Sequence, residues 1–287
     1  MSFAEFAARK RHEAATAPLD PLRTLEDFPG RCGWRSIGND WTRRLYDGWF
    51  RLAERPAPLP AVSLVFVRSH DGNTEALDPG DLGGGPVDQH VIYEGVSRVA
   101  AGAVMAGAKT ATGPDVFFSV WHPELVELRN ELGLPRHPIQ VIVTAGRFDV
   151  EGTLACNVSE VPVVFITTPD GRGLLEPARA RRPWMTILTM DDGTPRRPLE
   201  ILRSEFGIVN VSAVGGRNTA TSLIDAGLVD DLLLTTTERV AGEPDTPFYV
   251  GARGPSVDPL VRKRSTSPDH PFLFEHFAVR APEFVNS

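Results

Sequence analysis

The feature that most limits the fold of this chain is an alternation of apolar strand-like runs with helix-like segments from residue 59 onward. Several runs are continuously apolar and rich in β-branched residues, as are strands covered on both faces of a parallel sheet. The alternation therefore predicts an α/β fold with a mostly parallel sheet. The predicted strands are 61–67, 103–107, 139–145, 161–167, 184–189, 208–214, 231–238 and 272–279, and the predicted helices are 87–101, 122–132, 197–206 and 218–226.

Local signals refine this arrangement at three places. Asp88, at the start of helix 87–101, is a residue type that caps helix N-termini. No helical pattern separates 231–238 from 272–279, so these strands are predicted to pair antiparallel at one edge of the sheet. Residues 250–271 are polar and rich in Pro and Gly, which predicts a long surface connection with the cationic cluster 262–264 in it.

Residues 1–58 are predicted to form an N-terminal helical extension that precedes a domain at 59–287. Trp41, Leu45, Trp49 and Leu52 recur every three to four residues, as on one face of an amphipathic helix. We expect this face to pack on the main body or on a partner subunit. A proline-rich segment, ERPAPLP, ends the extension.

Composition argues against several classes of function. The chain has 287 residues and a formal net charge of −7, whereas nucleic-acid binding normally needs a basic surface. No apolar stretch reaches 18 residues and the N-terminus lacks a hydrophobic secretory core, so we expect a cytoplasmic protein that does not bind membranes. The two cysteines, Cys32 and Cys156, lack CxxC spacing; this predicts reduced thiols and no metal site.

The segment 208–231 combines an apolar run, the pair Gly215 and Gly216, and a helix. Glycines let the main chain approach a ligand closely, and a helix start offers unpaired N–H groups with a partial positive charge. This order of elements predicts a site for a nucleotide or another phosphorylated ligand.

Four segments together resemble a known family. They are SLVFVRSHDG (63–72), RVAAGAVMAGAKTATG (98–113), the strand pair PIQVIVTA and PVVFIT, and VGGRNTATSLIDAGLVDDLLLTTTERVAGE (214–243). Over residues 61–251 the chain resembles the C-terminal reductase domain of RibD-type proteins, the pyrimidine reductases of riboflavin biosynthesis. The resemblance implies a dihydrofolate-reductase-like three-layer sandwich, with a mostly parallel eight-stranded sheet and an antiparallel C-terminal edge. The zinc motifs of the deaminase half are absent, so any reductase here stands alone.

The resemblance implies NADPH as the cofactor, bound in a groove between two loops. A doubly charged 2′-phosphate needs a cationic partner, and Arg147 and Arg217 are the candidates, although Arg147 is equally compatible with a solvated loop. The cofactor-binding residues predicted in this way are Gly107, Ala108, Thr110, Thr144, Arg147, Gly215, Gly216, Arg217, Asn218 and Thr219.

On the substrate side, the resemblance implies that Asp71 is catalytic and orients the reacting centre. The alternative is that Asp71–Gly72 is a tight turn. Ser69 and Arg98 are predicted at the substrate phosphate; for Arg98 the alternative is a cation at a helix C-terminus. The resemblance further predicts substrate contacts from Phe118, Trp121 and His122.

His122 is compatible with a proton donor or with a simple helix start, because Pro123 follows it. The substrate side also departs from the family pattern, at Asn73, at Gly102, in GPDVFFSV and at Val214 before the Gly-Gly pair. We therefore expect an NADPH reductase for a small-molecule substrate, as a homodimer by resemblance, whose substrate differs from the riboflavin intermediate. Two alternatives remain open, a dihydrofolate, pterin or specialised-metabolite reductase on the same fold and a non-catalytic nucleotide-binding homologue.

Overall fold

The computed structural model describes residues 2–28, 34–76, 79–252 and 254–280. The strands are β1 Leu22–Asp27, β2 Trp34–Ile37, β3 Phe50–Ala53, β4 Ala61–Arg68, β5 Ala103–Gly107, β6 Ile139–Val143, β7 Val163–Thr167, β8 Met185–Thr189, β9 Asn210–Val214, β10 Asp231–Thr237, β11 Val257–Ser265 and β12 Phe272–Val279. The helices are α1 Phe3–Thr16, α2 Asp40–Leu45, α3 (an α-helical turn Gly85–Val87 continued by a π-helical segment Asp88–Arg98), α4 Ala108–Ala111, α5 Pro123–Glu131, α6 Pro169–Arg179, α7 Arg196–Ser204 and α8 Arg217–Asp225.

Ten strands form one sheet in the order β1-β11-β12-β10-β4-β9-β5-β6-β7-β8. Neighbours are parallel from β10 to β8, whereas β10, β12, β11 and β1 pair antiparallel. The eight predicted strands and the mostly parallel α/β architecture are confirmed. The predicted number of strands in the sheet is wrong, because β1 and β11 extend the antiparallel side beyond β12.

The prediction of a surface connection over residues 250–271 is wrong in its central part. Residues Val257–Ser265 form β11, which pairs with β12 on one side and with β1 on the other. Lys263 is buried, its Nζ donating to Thr24 Oγ1 at 2.7 Å and lying 4.2 Å from the centre of the Tyr46 ring. The charged residues of β11 made it look like a surface loop in the sequence. A strand between two others can nevertheless bury a cation that has such partners.

The sequence pattern predicted a helical N-terminal region, but the structure shows both helices and strands there. Helix α2 ends at Leu45, and the chain turns at Asp47, where φ is +58°. Trp49 is exposed, and Leu52 is buried in β3 rather than on a helix. Strand β1 belongs to the main sheet, and α1 packs against α5 and Trp121, but the domain boundary at residue 58 stays a prediction.

Helices cover both faces of the sheet. Alternate residues of β4 separate the two layers: Val65 packs with Val91 and Ile92 of α3, and Phe66 packs in the layer that contains Leu223 of α8. The central strands are continuously apolar in sequence because helices bury both of their faces.

The structure bears on the predictions about the cysteines and about membrane-spanning segments. Cys156 is a buried free thiol, and burial raises its pKa to about 12. Cys32 lies outside the described residues. No helix in the described part of the chain has both the length and the apolar character needed to cross a membrane.

Candidate active site

The carboxyl ends of β4, β9 and β5 meet at one edge of the sheet, because these strands are parallel neighbours in that order. The loop after β4 contains Asp71, the turn after β9 contains Gly215 and Gly216, and α4 follows β5 directly after Gly107. In open α/β sheets this edge, where loops from neighbouring strands diverge, is where ligands bind. Three of the predicted motifs therefore come together.

Two glycine-containing turns approach each other closely at this edge. Gly215 and Gly216 adopt φ values of +61° and +81°, a region that favours glycine. A Cβ on Gly216 would lie 3.7 Å from the Cα of Gly107, and one on Gly215 would lie 3.3 Å from Thr110 Oγ1. The two turns therefore pack closely against each other, and glycine leaves their backbones without side chains at the predicted cofactor groove.

Helix α8 begins at this groove. Its N-cap is Gly216, and no side chain of the described residues caps it. Asn218 is exposed and Thr219 is half-buried, so the first turn is accessible. Uncapped N–H groups at a helix start attract anions. The arrangement fits the cofactor phosphate predicted for Gly215 to Thr219.

An ion-pair bridge that the sequence did not predict spans this edge. Glu75, in the loop after β4, accepts a hydrogen bond from Lys109 Nζ at 2.7 Å and lies 3.4 Å from Arg217 Nε. Lys109 belongs to α4 and Arg217 opens α8, so one carboxylate joins the loop after β4 to two helices. We call Glu75, Lys109 and Arg217 the Glu75 bridge. No sequence spacing signals it, since the three residues are far apart in the chain.

The loop after β6 holds the two remaining cofactor candidates. Thr144 is buried and its Oγ1 accepts the N–H of Gly146 at 3.1 Å, so its hydroxyl shapes the loop. Arg147 is exposed; its carbonyl accepts a hydrogen bond from Thr144 Oγ1 at 3.4 Å, and its guanidinium has no hydrogen bond or ion pair within the described residues. Its guanidinium is therefore free to pair with an anion, in contrast to Arg217.

Asp71 lies in a compact turn. Its carboxylate accepts hydrogen bonds from Ser69 Oγ at 2.5 Å and from Asn73 Nδ2 at 2.8 Å, and Gly72 follows with φ +91°. The bond from Ser69 is the main cause that lowers the pKa of Asp71, so the exposed carboxylate is charged at neutral pH. The turn chemistry is confirmed, and a catalytic role for Asp71 stays a prediction. Ser69 is fully buried with its hydroxyl used inside the turn, so the structure does not present it to a substrate phosphate.

Arg98 and Phe118 lie away from this edge, contrary to their predicted substrate contacts. Arg98 ends α3 shortly before β5 begins, and its Nη1 donates to the Ser119 carbonyl at 2.7 Å. Its guanidinium lies 5.6 Å from the centre of the Phe118 ring. The Phe118 N–H donates to Gln140 Oε1, near the start of β6. Both residues therefore stabilise the amino-terminal edge of the sheet, and Arg98 follows the alternative of a helix C-terminal cation.

Trp121 and His122 are also structural. Their N–H groups donate to the buried Glu94 Oε2 at 2.7 and 3.1 Å, and the His122 ring lies 4.4 Å from that of Trp41. Burial lowers the pKa of His122 to about 4, so its imidazole is neutral. Pro123 opens α5, which confirms the helix-start interpretation. A proton-donor role for His122 stays a prediction: its backbone N–H is held by Glu94 of α3, and its Nδ1 is buried with no hydrogen-bond partner among the described residues.

Asp88 has an environment that the sequence pattern missed. It is not a helix cap: it lies inside α3, is buried, and accepts a hydrogen bond from the Thr235 hydroxyl of β10. Burial raises its pKa to about 7. Two features of the sequence could have indicated this pair. Thr235 carries a hydroxyl within an apolar strand, and Asp88 stands among the apolar positions of the helix that faces it.

The raised pKa of Asp88 predicts a pH-dependent stability. The folded state holds a proton that the unfolded chain releases near pH 4, so the free energy of unfolding should fall as pH rises from about 4 to about 7. The full loss is on the order of 4 kcal/mol, since each unit of pKa difference is about 1.4 kcal/mol. In Asp88→Asn, urea unfolding between pH 5 and pH 8 should show a flatter dependence. Equal slopes in the variant and the parent would place the titration elsewhere.

The family model for the RibD C-terminal domain matches residues 60–270. The chain belongs to the RibD C-terminal domain family. No curated protein sequence matches it. Two solved structures share the fold of this RibD C-terminal domain, and the matches cover most of each of those proteins. A pyrimidine reductase-like protein from Corynebacterium diphtheriae is 16% identical, with a TM-score of 0.59 and coverage of 78% of this chain and 93% of that chain. A riboflavin biosynthesis reductase from Saccharomyces cerevisiae is 14% identical, with a TM-score of 0.54 and coverage of 79% and 92%.

RibD from Acinetobacter baumannii is 17% identical, with a TM-score of 0.56, and the match covers 78% of this chain but 59% of that one. At these identities the likeness establishes the fold. Family membership and fold together identify a reductase domain of the riboflavin-pathway type.

Proposed function

We propose that this chain is an NADPH-dependent reductase that transfers hydride to a ribosyl group linked to a pyrimidine, or to a related heterocyclic substrate. The observation that carries the proposal is the close approach of the turns at Gly107 and Gly216, where glycine leaves both backbones without side chains. Its position at the carboxyl edge of the sheet and the uncapped start of α8 support a phosphorylated dinucleotide as its ligand. Membership of a reductase family supports the reaction type.

The chain's own residues would bind and orient the cofactor. The backbone from Gly215 to Thr219 would hold a phosphate, and Gly107, Ala108 and Thr110 would line the opposite wall. Arg147, whose guanidinium has no partner among the described residues, is the stronger candidate for the 2′-phosphate. The cofactor supplies the hydride, and the protein supplies the geometry that brings it to the acceptor carbon.

On the substrate side the proposal rests on Asp71. Its charged carboxylate is exposed at the same edge of the sheet and fixed by two hydrogen bonds. Such a group can accept a hydrogen bond from a hydroxyl or amino group of the substrate and so orient the reacting centre. Because the Ser69 hydroxyl is used inside the Asp71 turn and Arg98, Phe118, Trp121 and His122 lie in other parts of the fold, we propose that the substrate site differs from the one predicted by resemblance. This difference favours a substrate other than the riboflavin intermediate.

A cofactor titration tests the proposal. NADPH should quench the fluorescence of the five tryptophans, or accept energy from them, with saturation at micromolar concentrations. NADH should bind at least about tenfold more weakly, since it lacks the phosphate that a cation such as Arg147 would pair with. Absence of any change at millimolar NADPH would exclude a reductase and favour the non-catalytic alternative.

The substrate class needs a separate assay. Turnover of NADPH should be followed at 340 nm with the phosphoribosylaminopyrimidine, with dihydrofolate and with pterins. We expect slow or no turnover of the first compound. Turnover as fast as that of riboflavin-pathway reductases would refute the proposed divergence.

We also propose a cytoplasmic homodimer. Light scattering coupled to gel filtration tests the dimer, and a mass near 31.3 kDa would contradict it.

A further inference from the structure

The Glu75 bridge places an anion at the start of the cofactor groove. Glu75 contacts Lys109 through Oε2 and Arg217 through Oε1, so each oxygen faces a different cation. The Glu75 side chain is 22% exposed, whereas that of Lys109 is 74% exposed. The carboxylate is thus the more buried partner, held between two loops that flank the groove.

The two cations occupy unusual positions. Arg217 is the first residue of α8, whose amino end already carries a partial positive charge. Lys109 follows Gly107 by two residues, on the other side of the groove. Cations at a helix start are disfavoured unless an anion lies nearby. In this structure that anion is the carboxylate of Glu75, which also raises the pKa of Lys109.

The backbone around Glu75 is anchored independently of its side chain. The Glu75 carbonyl accepts the Glu243 N–H at 2.8 Å, and the Thr74 N–H donates to the Thr246 carbonyl at 2.8 Å. The carboxylate could therefore leave the two cations by side-chain rotation alone. Leaving would cost little, because ion pairs with an exposed partner contribute about 0–1 kcal/mol in water.

We propose that Glu75 is an internal competitor of the cofactor: its carboxylate occupies the position of a dinucleotide phosphate between Lys109 and Arg217 and is displaced when the dinucleotide binds. The inference rests on the proposed function and deepens it. Glu75 then determines the affinity for phosphate-bearing ligands, while Lys109 and Arg217 are neutralised in both states. It is a specificity-determining residue, not a catalytic one.

The variant Glu75→Gln tests this. Removal of the competing charge should lower the Kd for NADPH by about three- to tenfold at low ionic strength. The gain should shrink in 0.5 M salt, where charges separated by more than a few ångströms are screened. Inorganic pyrophosphate, titrated by calorimetry, should gain in affinity in the same way, because the competition concerns the phosphate and not the nicotinamide.

Two further variants separate displacement from general charge effects. Glu243→Gln removes an equal charge from the neighbouring loop and should change the Kd for NADPH less than twofold. In Arg217→Gln the effect of Glu75→Gln should be lost or strongly reduced, as coupling in a double-mutant cycle requires. Thermal unfolding of each variant checks that it is folded.

The outcomes are distinguishable from those of the proposed function. Unchanged or weaker NADPH binding in Glu75→Gln would overturn the inference. If the variant lost affinity only for NADH, Glu75 would instead accept a hydrogen bond from a ribose hydroxyl. An equal gain in Glu243→Gln would also overturn it. If neither the parent nor the variant binds NADPH, the proposed function fails, and the pyrophosphate titration alone decides whether Glu75 competes with phosphate.

Discussion

Replacing Gly216 with valine is expected to abolish NADPH binding while the chain remains folded. Gly216 has φ +81°, where a β-branched residue is strained by about 1–3 kcal/mol. Its new side chain would also cover the backbone beside Gly107, whose Cα lies 3.7 Å from the position of the added Cβ. We expect the Kd for NADPH to rise at least about 100-fold, which corresponds to about 3 kcal/mol. Fluorescence titration measures it.

A matched control separates the groove from backbone strain. Gly193 has φ +74° and no atom within 4 Å of an added Cβ, and it follows the edge strand β8. Gly193→Val should therefore lose similar stability but retain its affinity for NADPH. Equal affinity in Gly216→Val and the parent would show that the phosphate binds elsewhere.

Asp71→Asn is expected to lower kcat by about tenfold or more while the Kd for NADPH changes less than twofold. The substitution removes the charge but keeps a carbonyl that can accept from Ser69 or Asn73, and Gly72 still makes the turn. A loss on this scale is typical when a group that orients or protonates the reacting centre is removed. Steady-state kinetics with the substrate found by screening, together with NADPH titration, measure both quantities.

Asp192→Asn provides the control for Asp71→Asn. Asp192 is exposed and also accepts hydrogen bonds within a turn, from the N–H and the hydroxyl of Thr194, so its replacement perturbs a similar local structure. Its kcat should equal that of the parent. If Asp71→Asn behaves in the same way, the carboxylate serves only the turn; if it weakens NADPH binding instead, Asp71 belongs to the cofactor side.

Much of the fold could be predicted because the central strands can be recognised from their own residues. Runs such as 103–107 and 161–167 are apolar throughout, since helices cover both faces of the sheet, and the structure confirms strands there. Strand β11 has no such run. It is stabilised by partners distant in sequence, including the contact of Lys263 with Thr24, which no local pattern reveals.

The candidate site divides in the same way. Gly215 and Gly216 could be recognised from sequence, because a positive φ at a close approach needs glycine whatever surrounds it. The bond of Arg98 to the Ser119 carbonyl and that of the His122 N–H to Glu94 could not be predicted, since the fold brings these partners together. Residue type alone did not distinguish a ligand contact from a buried structural bond.

By itself, then, the sequence determined the alternation of strands and helices, the glycine turns after β5 and β9 and the family to which the chain belongs. These features follow from local conformational preference and from burial on both faces of a sheet. Only the tertiary structure decided that Asp88 faces Thr235 and that Glu75 lies between Lys109 and Arg217. Charges and hydrogen bonds act over a few ångströms, and residues distant in the chain come that close only after the sheet has formed.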